Sequence, residues 1–151
     1  MDHTVDLGCG TGGQARALAA RGWTVTAVDY AAPAVAAARR LDPGASVTWR
    51  TADVTDPASV DPGGRLGGTV TLVLDNGCLH GIPSRRRPGW AATVETLAAP
   101  GADLLVRAAA PRRLGVGPAG IDATDLAALL GARWSPRPAP DPGWYHYRRR
   151  A

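Results

Sequence analysis

Apolar positions along the chain switch between a period of 2 and a period of 3.6 in regular alternation. His3 to Leu7 reads as a strand and Gln14 to Arg21 as a helix that Gly22 ends. TVTAVDY (24–30) is a second strand, followed by an alanine-rich helix from about Pro33 to Leu41, with Pro33 suited to the first helical turn. Asp42, Pro43 and Gly44 break that helix, and a third strand covers Val47 to Ala52. TDPASVDPGG (55–64) is polar and turn-rich, with room for one short helix at most. TVTLVLD (69–75) is apolar nearly throughout, which predicts a strand buried on both faces near the sheet centre.

The second half continues the pattern. A helix is expected to open at Pro88 and run through WAATVETLA, with Pro100 and Gly101 closing the segment. A fifth strand follows from Asp103 to Ala108, and RRLGVGPAG (112–120) reads as the most flexible stretch. Asp122 or Thr124 can cap a helix through Leu130. WSPRPAPDPGWYHYRRR closes the chain as a β-hairpin turning at Asp141, Pro142 and Gly143. Strands alternating with helices imply right-handed crossovers and a mainly parallel α/β sheet, doubly wound, with helices on both faces. The hairpin adds an antiparallel strand.

The 151 residues, 45% apolar, suffice for one domain with a single core. With no long apolar run and no signal-like N-terminus, a cytoplasmic protein is expected, without membrane contact. The net charge of +4 comes from seventeen arginines and no lysine. Together with alanine in place of phenylalanine this usage reflects coding bias, so the basic balance says little about function. Arg85 to Arg87 and Arg148 to Arg150 are either solvated faces or sites for an acidic partner. Cys9 and Cys78 cannot make a metal site by themselves, and no metal is expected.

A strand, then Gly8, Gly10, Gly12 and Gly13, then a helix, lets the backbone approach a ligand closely at a helix N-terminus. Gly8, Gly10 and Gly13 satisfy a dinucleotide pattern, and Asp29, 21 residues after Gly8, stands where a ribose-binding acid belongs. The glycines alone do not choose between a dinucleotide and an adenosyl site. Asp6 does bear on the choice, because a carboxylate inside an apolar strand opposes a pyrophosphate and favours a cationic group. Asp53 ends the third strand and Asp75 the fourth. Each of the two also reads as a local feature, Asp53 as a helix cap and Asp75 as a turn former beside Asn76 and Gly77.

With VDLGCGTGG, VDY, TADV, LVLDNGCLH, PGADLLV and the terminal hairpin in place, the chain resembles the class I S-adenosylmethionine-dependent methyltransferases over nearly its whole length. DNGCLHGIP, followed by an arginine-rich helix start, is similar to the small-molecule members of that family. The resemblance implies a Rossmann-like sheet of order 3-2-1-4-5-7-6 and S-adenosyl-L-methionine as cofactor. It places Gly8, Cys9 and Gly10 beneath the methionine part, with Asp6 anchoring its ammonium directly or through water. Asp29, with Tyr30 beside it, would take the ribose hydroxyls. Asp53 would take the adenine amino group with Val54 against the ring, and Asp75 with Asn76 would line the methionine end.

Methyl transfer from a sulfonium needs alignment and water exclusion, and a base only where the acceptor is protonated. His80, just past the fourth strand, is the candidate catalytic base, with a positional or hydrogen-bonding role as the competing reading. Trp90 could form an acceptor wall or belong to the core. Arg86 and Arg87, set where a helix dipole disfavours cations, invite an acidic acceptor or solvent as compensation. A cofactor-binding protein without methyl transfer, including one that assists a cyclisation, is the alternative function. Asp6, Asp75 and the hairpin argue against a nicotinamide-dependent oxidoreductase. Nucleic-acid methylation is disfavoured because DNGCLH stands where a base-flipping Asn-Pro-Pro-Tyr-like motif would be.

Only four residues precede Val5, whereas members of the resembled family usually carry covering helices there. A single domain with one side of the cofactor cleft open is therefore expected. A second copy of the chain, RRLGVGPAG as a lid, or the acceptor itself could close it, and a homodimer is the preferred expectation.

Overall fold

The computed structural model describes residues 2–112, 115, 117 and 119–151. Its strands are β1 (His3–Leu7), β2 (Thr24–Asp29), β3 (Thr48–Thr51), β4 (Val70–Asn76), β5 (Ala98–Arg107), β6 (Trp134–Arg137) and β7 (Trp144–Arg149). The helices are α1 (Gly13–Ala19), α2 (Ala32–Arg40), α3 (Pro57–Val60), α4 (Arg87–Leu97) and α5 (Ala123–Leu130). Two short 3-10 turns, Leu79–Gly81 and Ser84–Arg86, join β4 to α4.

All seven strands form one sheet in the order β3-β2-β1-β4-β5-β7-β6, as expected. The first five pair in parallel, and β7 runs antiparallel to both β5 and β6. The order reverses between β1 and β4, which opens a crevice at the carboxyl ends of the strands.

Local chemistry sets the element ends. Asp56 caps α3 by accepting from the Ala58 N–H at 3.0 Å, and Asp122, rather than Thr124, caps α5 through the Asp125 N–H at 2.8 Å. At the head of α1, Gly12 adopts φ +80° and lies so close to the Trp49 ring that a Cβ would collide with it. Trp49 is itself fixed from the other side, its indole N–H donating to Asp42 at 2.9 Å. The loop between α2 and β3 thus holds the loop between β1 and α1.

One strand differs from the pattern. β5 begins at Ala98 rather than Asp103, because Ala98 already pairs with Val70 before the main register starts at Leu72 and Asp103. The shift between these pairs absorbs Pro100, which has no N–H to give, and Gly101 at φ +78°. Pro100 and Gly101, expected to close the helical segment, therefore lie inside β5, and the helix ends before them at Leu97.

Two apolar layers enclose the sheet. Ala15, Val35 and Ala38 from α1 and α2 pack on Val25, Ala27 and Trp49. On the other face Trp90, Val94 and Leu97 of α4 and Leu126 of α5 pack on Val5, Leu7, Val73, Leu104 and Val106. No helix among the described residues is long and apolar enough to cross a membrane.

Candidate active site

The carboxyl ends of β1, β2 and β3 and the turns after β4 surround a cleft of about 550 Å³. Gly8 forms part of its floor. At φ +76° it leaves no room for a side chain, since a Cβ would stand 2.5 Å from that of Cys78. The N–H groups of Gly8 and Cys9 both donate to the Val28 carbonyl, at 2.8 and 2.9 Å, and so clamp the loop to β2. Asp29 completes the clamp by accepting from Gly10 and Ala31, each at 2.9 Å. One bond to each oxygen leaves further lone pairs free for hydroxyl donors. Tyr30 stands beside it on the rim, 82% exposed, and Val54 lies buried in the wall.

Asp6 sits at the base of the glycine loop, only 2% exposed, and its carboxyl accepts no hydrogen bond from any described residue. Burial first, and then the neighbouring Asp75 and Asp29 carboxylates, push its pKa up to about 7. An uncompensated buried carboxylate beside two others favours a cationic ligand group. The same surroundings make the cysteines unreactive. Burial raises the Cys9 thiol to about 12 and pushes Cys78 up as well, and both are free thiols.

Asp75 has a different task from the one expected of it. It is fully buried and closed over by three donors, the N–H groups of Cys78 and Leu79 and the indole N–H of Trp90, the first and last at 2.8 Å. It shapes the turn after β4 and presents no surface to a ligand. Trp90 is likewise 0% exposed, a core residue on Asp75 rather than an acceptor wall.

The arginines before α4 are also engaged. Arg86 donates to Asp53 at 2.6 Å and to the Thr55 hydroxyl at 2.9 Å, bridging one side of the cleft to the other. Asp53 is held below the usual carboxylate range, first by its hydrogen bonds from Thr55 and then by Arg86. Arg87 is buried and donates to the carbonyls of Ile82 at 2.9 Å and Gly120 at 2.8 Å. The compensation these cations require therefore comes from the chain itself.

A second cleft of about 460 Å³ adjoins the first, with Gly77 in the wall of both. It is lined by Asn76, His80, Arg107, Ala109 and the Pro142–Gly143 turn of the hairpin. Asn76 thus faces this cleft rather than the first. The Ala109 N–H donates to His80 Nδ1 at 2.8 Å, and burial together with Arg87 lowers the His80 pKa. Arg107, the last residue of β5, is exposed and forms no ion pair with any described residue. Sequence reasoning passed over it because it ends an apolar run and meets its cleft only through the hairpin. Of the expected RRLGVGPAG lid, Arg113, Leu114, Val116 and Pro118 lie outside the described residues.

A doubly wound sheet with one reversed strand, and an acid-rimmed cleft over a glycine loop at the strand-order reversal, define a cofactor-binding α/β domain. A family model described as a methyltransferase domain matches residues 5–104, and the chain belongs to this family. It is 30% identical to a 2-heptyl-1-hydroxyquinolin-4(1H)-one methyltransferase of Mycobacteroides abscessus, over 87% of this chain and 58% of that protein. The chain thus spans little more than half the length of this curated relative. Among solved structures it is similar to a 1,6-didemethyltoxoflavin-N1-methyltransferase of Burkholderia thailandensis with bound 1,6-didemethyltoxoflavin and S-adenosylhomocysteine. The TM-score is 0.73 at 22% identity, covering 99% of this chain and 71% of that one. A structure described under the conversion of a disulfide bond into a thioacetal group during echinomycin biosynthesis gives a TM-score of 0.78. That pair is 19% identical, with 99% of this chain and 76% of that chain covered.

Proposed function

We propose that the protein transfers a methyl group from S-adenosylmethionine to a small-molecule acceptor. The observation that carries this reading is Asp6, a buried carboxylate without a hydrogen-bond donor, at the base of a glycine loop. An amino-acid ammonium supplies the charge it lacks. The residues present fit this cofactor. Asp29 has lone pairs left for ribose hydroxyls, Val54 offers an apolar wall, and Asp53, tied to Arg86 and Thr55, keeps acceptor capacity toward an adenine amino group. When bound, the sulfonium supplies a methyl group already electrophilic enough to need mainly alignment and shelter from water. Gly77 stands between the two clefts, so the acceptor in the second cleft and the cofactor in the first meet there.

The relative that acts on 2-heptyl-1-hydroxyquinolin-4(1H)-one, by its name, supports a small heterocyclic acceptor. Arg86 and Arg87 give no support to an acidic one, because both are occupied. A second copy of the chain as cover for the open side remains part of the proposal, supported by the exposure of Tyr30 on the rim.

Calorimetric titration of one sample with S-adenosylhomocysteine, S-adenosylmethionine and NAD, with molecular mass measured alongside, tests these points. The adenosyl ligands are expected to bind and NAD is not, with a mass of two chains. NAD binding without either adenosyl ligand would overturn the function, and a monomer that binds tightly would remove the dimer. Binding without transfer to any acceptor would favour a cofactor-binding role.

A further inference from the structure

We propose that the second cleft receives its acceptor as an anion, an acidic hydroxyl or thiol compound already ionised in water, which His80 and Arg107 hold without removing a proton. This deepens the methyl-transfer reading and rests on it.

The hydrogen bond from Ala109 to His80 carries the first part of the argument. A backbone N–H can only donate, so His80 Nδ1, 2.8 Å away, must accept. A neutral imidazole that accepts at Nδ1 carries its hydrogen at Nε2. The Cε1–Nε2 edge of the ring lies against Gly77, where an added Cβ would stand 3.7 Å from Nε2, and Gly77 borders both clefts. The nitrogen nearest the junction is therefore a donor. For His80 to act as a base there, Nδ1 would have to carry the hydrogen, and two N–H groups would point at each other across 2.8 Å. Burial and the Arg87 guanidinium keep the ring from charging, so the neutral donor persists at neutral pH.

The charged groups around the ring complete it. Arg87 from α4 is spent on carbonyls, and Arg107 from β5 opens into the cleft with no described carboxylate against it. From β4, Asp75 is sealed behind its three donors. Asp141, in the turn beside Pro142 and Gly143, is not in the lining, and Asp53 faces the other cleft beside Arg86. Among the described residues, no carboxylate lines the second cleft. It offers an N–H donor, an amide and a guanidinium, the inventory of an anion site. The transfer then balances without a base. The acceptor loses its proton to water before binding, its lone pair forms the new bond to the methyl carbon, and the electrons of the broken carbon–sulfur bond stay on sulfur. No proton moves in that step.

The test uses 4-nitrophenol, whose phenol and phenolate absorb differently, with the wild-type chain and with Arg107→Met, in the presence and absence of S-adenosylhomocysteine. The bound ligand is expected to absorb as phenolate, its apparent pKa lowered by about one unit, which is tenfold in preference for the anion. Arg107→Met is expected to lose that shift and about tenfold in affinity. S-adenosylhomocysteine binding by calorimetry should remain within twofold of wild type. Binding of the neutral phenol, equal binding by Arg107→Met, or no nitrophenol binding while S-adenosylhomocysteine binds would each overturn the anion site. If S-adenosylhomocysteine itself fails to bind wild type, the cofactor reading falls, and nitrophenolate binding in its absence still decides the anion site. A rate that follows the ionisation of each member of a phenol series, with no break common to all, is the expected kinetic counterpart.

Discussion

Replacing Asp6 with asparagine is expected to make the protein more stable and to cost it its cofactor. In the folded chain the carboxyl is pushed up to about 7 from its ordinary 3.8, because it is buried beside Asp75 and Asp29 without a donor of its own. A raised folded pKa means that the folded state holds the proton more tightly than the unfolded one. The stability associated with that proton is full below about pH 4 and is lost as pH rises through about 7. Above pH 7 the ionised wild type should therefore lie on the order of 3 kcal/mol below the Asp6→Asn variant. In a chain of this size that is roughly 6–12 °C in Tm. The gap should close as pH falls toward 4. Ligand binding should respond in the opposite sense, since the carboxylate is the partner proposed for the ammonium. Asp6→Asn is expected to bind S-adenosylhomocysteine about 100-fold more weakly, near 3 kcal/mol. Wild-type affinity should climb up to tenfold per pH unit toward pH 7 and then level off, whereas the variant should show no such rise. Thermal melts at pH 5 and 8 with calorimetry at each pH decide it, and a variant no more stable at pH 8 would remove the argument.

The parts of this site that the sequence announces are those whose geometry is local. Gly8, Gly12 and Asp29 act within one strand–loop–helix unit. Their roles follow from spacing, and the structure adds only that Trp49 and Cys78 are what the glycines make room for. Each change of period marks one element, whereas the order of the sheet follows from the family resemblance that those motifs carry. The acceptor side depends on approaches between distant segments. Arg107 and Ala109 reach His80 only because β5 lies beside β4, and Pro142 with Gly143 closes that cleft only because β7 returns antiparallel to β5. Nothing in the strings LLVRAAA or PDPGW states that proximity. Arg86 and Arg87 were conspicuous as a charge run, yet their partners, Asp53 and three backbone carbonyls, come from elsewhere in the chain. A run of charge shows in one dimension, and its compensation appears only in three.

Asp75 and Trp90 make the sharpest contrast with Asp6, and Asp75→Ala is expected to be the most damaging single change. Both aspartates are buried and both have raised pKa values, Asp75 to about 6 with burial as the leading cause. The difference lies in the donors. Asp6 has none, whereas Asp75 accepts from Cys78, Leu79 and Trp90, and those bonds hold the turn after β4 against the first turns of α4. Removing the carboxyl would leave three buried N–H groups unsatisfied at about 1–3 kcal/mol each, offset in part by the relief of a buried charge. A net loss of about 3–5 kcal/mol is a large share of the 5–15 kcal/mol typical of a domain. Because protonation of Asp75 favours the folded wild type, the deficit of Asp75→Ala should be larger at pH 5 than at pH 8. Trp90→Phe removes the indole N–H and leaves a cavity where the second ring stood, so about 2–4 kcal/mol of loss is expected. Where Trp90→Phe is folded, its affinities for S-adenosylhomocysteine and for 4-nitrophenol should stay within about threefold of wild type, because a residue with no exposed surface touches neither ligand. A tenfold change in nitrophenol affinity at unchanged Tm would return Trp90 to the acceptor wall.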